Sequence, residues 1–98
     1  MQITLAIASE TVLAIRPGIS LQSMGEDEGS LLLRLDTGQI YTVNETTFEF
    51  LQLIDGKRNI HSIVVSLLEV FEIDPETLLA GMLSISQELA NENLVIAV

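Results

Sequence analysis

The order of periodicities along the chain predicts an α+β fold, three antiparallel strands followed by three helices. Up to about residue 43 the apolar residues alternate with period two between turn-forming clusters, and from about residue 45 they recur every three or four positions. The length agrees: 98 residues, 48% of them apolar, support one modest core and not two. With only three Phe and one Tyr, that core must be built from Leu, Ile and Val.

Each element has a local reason. Arg16-Pro17-Gly18 breaks whatever precedes it, and Ile19 to Met24 then alternates as a half-buried strand does. Gly25 to Gly29 is an acidic turn, with Glu26-Asp27-Glu28 at its tip, and Leu31 to Leu35 is the second strand. Asp36-Thr37-Gly38 suits a tight turn with Gly38 at a positive φ, and Gln39 to Val43 returns as the third strand. Asn44 is an N-cap for a helix that presents Phe48, Leu51 and Ile54 inward and stops near Asp55-Gly56. Asn59 caps a second helix, in which Ile60, Ile63, Val64, Leu67, Leu68 and Phe71 share one face. Asp74 and Pro75 open a third, striped with Leu78, Met82, Ile85 and Leu89 and widened by Leu79 and Leu83. Leu94 to Val98 reads as a short extended tail. Residues 1–16 are read as an N-terminal extension, for which a helix, packing beside the sheet and exchange between chains all remain open; residues 17–98 are the domain proper.

Charge and residue inventory narrow the function. The net charge is −10 and the positive side chains are Arg16, Arg34, Lys57 and Arg58, so a phosphate backbone is repelled and nucleic acid is not an expected partner. Lys57-Arg58 is too small a pair for a nucleic-acid footprint and reads as a solvated loop. The absence of cysteine removes thiolate chemistry and disulfides and fits a reducing, cytoplasmic setting. The apolar N-terminus lacks a basic leader region, and no uninterrupted apolar run is long enough to span a membrane.

No motif points to chemistry. Asp36-Thr37-Gly38 is also the catalytic triplet of aspartic proteases, but a chain that is helical after Asn44 cannot build an all-β protease. His61 is the one imidazole and has no neighbouring ligand, so neither a metal site nor a Ser-His-Asp set is expected. Asn44-Glu45-Thr46 fits a glycosylation sequon, yet helix capping explains it better. Glu26-Asp27-Glu28 lacks the ligand spacing of a calcium loop. No catalytic residue, metal ligand or cofactor is assigned.

The stretch from Leu31 to Ile96 resembles the PqqD-like family, the small peptide-recognition domains of ribosomal peptide natural-product pathways. The resemblance rests on the order of LDTGQIYTVNET, LIDGKRNI, LLEVFEI and LANENLVI; Gly81 and Asn93 depart from residues common in the family at those places. It implies a winged-helix-like arrangement with no catalytic residues of its own. It further implies that the leader segment of a precursor peptide adds as a strand to the third strand, in the groove between that strand and the third helix. Gln39, Ile40, Tyr41, Thr42 and Val43 would then supply the strand side, and Leu79, Met82, Leu83 and Ser86 the helix side. The implied partners are the leader peptide and a separate maturation enzyme (a radical SAM enzyme, a protease or a cyclase) in pyrroloquinoline quinone (PQQ), lasso-peptide or other such biosynthesis. Two other readings stand beside this one. A winged-helix nucleic-acid binder should carry Arg and Lys on its second or third helix, and this chain does not. A structural or regulatory subunit would offer the same sheet edge to a protein partner or to a second copy as a homodimer.

Overall fold

The computed structural model describes residues 7–23 and 29–98; Met24 and the acidic turn tip Glu26-Asp27-Glu28 lie outside the described residues, as do residues 1–6. In chain order the elements are β1 (Leu13–Ile15), β2 (Ile19–Ser23), β3 (Ser30–Arg34), β4 (Ile40–Val43), α1 (Glu45–Leu53), α2 (Ile60–Leu68), α3 (Pro75–Asn91) and β5 (Val95–Ala97). The expected three-stranded antiparallel sheet is present in the order β2-β3-β4, followed by three helices. A second, two-stranded sheet pairs β1 with β5 in antiparallel register, Leu13 opposite Ala97 and Ile15 opposite Val95.

Local chemistry accounts for the element boundaries. The side chains of Asn44, Asn59 and Asp74 each accept from a backbone N–H of the first helical turn, at Thr47 (2.8 Å), Ser62 (2.8 Å) and Thr77 (3.1 Å). In the β3–β4 turn Gly38 has φ +76, a conformation that a residue bearing a Cβ rarely adopts. Asn93, between α3 and β5, takes the left-handed conformation at φ 61, which a short amide side chain tolerates. Helix α2 stops at Leu68, so Phe71 packs on the core from the turn that follows and not from the helix itself.

The core lies between the three-stranded sheet and the helices. Leu32 of β3 meets Phe50 and Leu51 of α1, Ile60, Ile63, Val64 and Leu67 of α2, and Leu78, Met82 and Leu89 of α3 in one buried cluster that also takes in Leu13 and Val95. Phe48, Leu51 and Ile54 are buried as their spacing predicts, and Phe50, wholly buried, joins them. On β3 and β4 the side chains of Leu32, Tyr41 and Val43 point to this layer. Strand alternation sends Leu31, Leu33, Ile40 and Thr42 to the other face.

Candidate peptide-binding site

The register of the sheet decides which backbone groups β4 leaves free. Residues pair as Leu33 with Ile40, Leu32 with Tyr41, Leu31 with Thr42 and Ser30 with Val43. Just beyond the strand, the Arg34 N–H donates to the Gln39 carbonyl at 2.9 Å. Hydrogen-bonded and non-bonded pairs alternate along an antiparallel ladder, so Gln39, Tyr41 and Val43 turn their polar groups toward β3. On the other side of β3, the Leu35 N–H donates to Gly18 at 2.8 Å, as the same alternation requires. Ile40 and Thr42 therefore aim their N–H and C=O groups away from the sheet. β4 ends the strand order, so no described strand covers that edge.

Alongside it runs a cavity of about 340 Å³. Tyr41, Thr42, Val43 and Asn44 line it from the strand side, Ile85, Glu88 and Leu89 from α3, and Glu92 from the C-cap of that helix. Leu32 and Leu94 contribute apolar floor, and Thr47 of α1 completes the wall. An apolar trough bordered by an unpaired strand can hold an extended chain: the edge supplies main-chain hydrogen bonds and the trough takes alternate side chains. The outer edge of β2 is also unpaired in the strand order, but the cavity at its start is polar, with Arg16, Arg34, Asp36 and Asn93 in its lining.

The residues expected to form the site fall into two groups. Tyr41, Thr42 and Val43 line the trough; Gln39 and Ile40 precede them on the same run of backbone and are not among the lining residues, Ile40 being 59% exposed. Leu79, Met82, Leu83 and Ser86 are not among the lining residues. Met82 is buried in the core, and Leu79 and Leu83 pack half-buried against it. Two residues along an α-helix are about 200° of rotation, so Leu83 faces nearly opposite Ile85. Gln87, one turn after Leu83, accepts from the Ile7 N–H at 3.3 Å, which brings the N-terminal segment against that side of α3. Ser86 is fully buried and its hydroxyl has no hydrogen-bond partner among the described residues. The residues sequence reasoning passed over are Ile85, Glu88, Leu89 and Glu92. Their i, i+3, i+4, i+7 spacing marks them as one face, but only the tertiary arrangement says that β4 lies beside it.

Among the described residues no group of three or more His, Cys, Asp or Glu is placed to hold a metal ion, and no helix is long and apolar enough to cross a membrane.

Comparison with known proteins places this geometry. Two solved structures share the fold. The solution NMR structure of the PqqD truncation of Methylobacterium extorquens PqqCD represents a functional, stand-alone recognition element for ribosomally synthesized and post-translationally modified peptides (RiPPs). It superposes with a TM-score of 0.79 at 20% identity, over 93% of this chain and 95% of that one. TbiB1 in complex with the TbiA(β) leader peptide superposes with a TM-score of 0.66 at 20% identity, over 83% of this chain and 92% of that one. Comparison with curated proteins finds no match. Residues 29–95, which carry the β3–β4 hairpin, the open strand and all three helices, match the family model described as coenzyme PQQ synthesis protein D. By that match the chain belongs to the PqqD family.

Proposed function

We propose that this protein is a non-catalytic recognition element that binds the leader segment of a ribosomally made precursor peptide by strand addition to β4 and presents the attached core to a separate maturation enzyme. The observation that carries the reading is the outward-facing backbone of Ile40 and Thr42 beside the apolar trough. Family membership supports it, and so does the shared fold with TbiB1, a protein solved with a leader peptide bound. The strand-side residues are Gln39 to Val43. On the helix side Ile85 and Leu89 replace the core residue Met82 and the far-side Leu79 and Leu83. The client is a radical SAM enzyme, a protease or a cyclase, and the setting is cytoplasmic. A guest segment that orders on docking pays for that ordering, so the affinity expected is roughly micromolar or somewhat tighter.

The test is fluorescence polarisation with the labelled leader of a short precursor encoded beside this gene. Thr42→Pro removes one outward N–H while leaving the ladder to β3 intact, since proline is tolerated where an edge strand's N–H faces solvent. Binding should fall at least tenfold while circular dichroism stays unchanged. Unaltered affinity in that folded variant would remove β4 from the site. Ile40 and Leu35, 59% and 62% exposed, also suit an edge offered to a second copy of the chain. A stable dimer in sedimentation that refuses the leader would favour that second reading.

A further inference from the structure

The open edge and the apolar floor make the trough, and two carboxylates border it. Glu88 stands on the face of α3 that looks onto β4, and Glu92, four residues on, is the C-cap of that helix; both are exposed. No Lys or Arg lines the cavity. The nearest cation in the chain of contacts is Arg34, whose Nη2 donates to the main-chain carbonyl of Glu92 and whose side chain borders the separate polar cavity near β2. The ion pair found among the described residues joins Arg58 to Asp55, away from the trough, so among the described residues neither glutamate's carboxylate is in a direct ion pair. A net charge of −10 adds a long-range field of the same sign.

Resting on the reading of this trough as the guest's site, we infer that the guest is an extended segment with Lys or Arg at positions i and i+2 on its α3-facing side. The spacings agree. Four residues of helix rise about 6 Å, and two residues of strand advance about 6.8 Å with both side chains on one face. The aliphatic stems of Lys and Arg would cover Ile85 and Leu89 while their charged ends reach the carboxylates at the rim. An acidic or uncharged guest would leave two carboxylates facing its backbone with no counter-charge. The edge hydrogen bonds are blind to side chains, so the glutamates discriminate among guests that the strand alone would accept equally.

The experiment is selection of random twelve-residue peptides displayed on phage against the full chain, in parallel with E88Q/E92Q and Thr42→Pro. Binders to the wild type should be enriched in basic residues at i and i+2. Resynthesised with a fluorophore, they should bind E88Q/E92Q about tenfold more weakly at low ionic strength, and the wild type itself should lose a similar factor as salt is raised. Peptides lost on Thr42→Pro that carry no basic enrichment and bind E88Q/E92Q unchanged would overturn the inference and leave the trough as the site. Peptides indifferent to Thr42→Pro would overturn the trough, and the inference with it. Matching circular dichroism and urea midpoints for the variants exclude a folding artefact.

Discussion

Strands β1 and β4 are both short, three and four residues, yet the chain treats their outer edges in opposite ways. β1 is paired along one side, and its start and the residues leading into it are bonded on the other. β5 pairs with one side, and on the other the N–H groups of Gly56, Ile60 and His61 donate to the carbonyls of Leu13, Thr11 and Ser9 at 3.0, 3.0 and 2.9 Å. Val12 and Asn59 add an isolated bridge. β4 is paired to β3 alone, and Ile40 and Thr42 keep their outward groups unspent. Unpaired edges invite unwanted pairing, so proteins cover those they do not use. The α1–α2 loop is built to close β1, and nothing comparable closes β4 among the described residues. The contrast separates an edge used for folding from one left open among the described residues.

The comparison breaks most visibly in the side chains. Leu13 is 1% exposed and belongs to the core cluster, whereas Ile40 is 59% exposed. Leu13→Ala should cost about 2–5 kcal/mol, a large part of a small domain's stability, while Ile40→Ala should stay within about 0.5 kcal/mol. Urea denaturation read by circular dichroism measures both. Equal costs would mean that the β1–β5 sheet is an accessory to the fold.

Gly56 tests the sealed edge next. It has φ +76, and its N–H donates to Leu13. An added Cβ would lie 3.9 Å from the Ala14 Cβ, an ordinary contact, so conformation and not crowding sets the cost. Gly56→Ala should lose about 1–2 kcal/mol, the penalty for a left-handed residue with a Cβ. A chemical denaturation curve indistinguishable from wild type would show that the loop closes β1 without that turn. On the open side, Thr42→Pro should cost less than about 1 kcal/mol, because the lost N–H makes no bond among the described residues. A larger loss would mean that β4's outer edge has a partner in the chain's own fold.

What was readable in the sequence follows the range of the interactions involved. Asn44, Asn59 and Asp74 announce their helices because a cap acts within three residues, and Gly38 announces its turn for the same reason. β1 and β5 pair across 80 or more positions, and β1 offers three residues of weak alternation in an apolar stretch; no local signal marks them as partners. The strand side of the trough, at Tyr41, Thr42 and Val43, was legible from the turn and cap that bound β4. The helix half was not. α3 carries apolar residues around much of its circumference, and the surplus at Leu79 and Leu83 is taken up by packing against the chain's own core, while the trough takes the neighbouring face at Ile85 and Leu89. A helical pattern ranks faces by hydrophobicity and is silent on which one a distant strand flanks.

The smallest expected effect concerns the loop that closes β1. Asp55 accepts from the N–H groups of Arg58 and Lys57, each at 2.9 Å, and pairs with the Arg58 guanidinium at 3.2 Å, while Arg58 also donates to the Leu53 carbonyl. The two backbone donors, Arg58 first and Lys57 second, hold the Asp55 carboxyl below its ordinary value of 3.8, and the Arg58 side chain adds to them. A folded-state value below the unfolded one means that ionised Asp55 stabilises the fold above about pH 3.8, and that this contribution disappears as the pH falls through the lowered value. Asp55→Asn keeps an acceptor for the loop but cannot ionise. Wild type should therefore exceed the variant in urea midpoint at neutral pH by a small margin, and the margin should close as the pH falls below the lowered value, where both carry a neutral side chain. A margin that persists unchanged in acid would assign the loop's order to shape alone, and the closure of β1 would then owe nothing to charge.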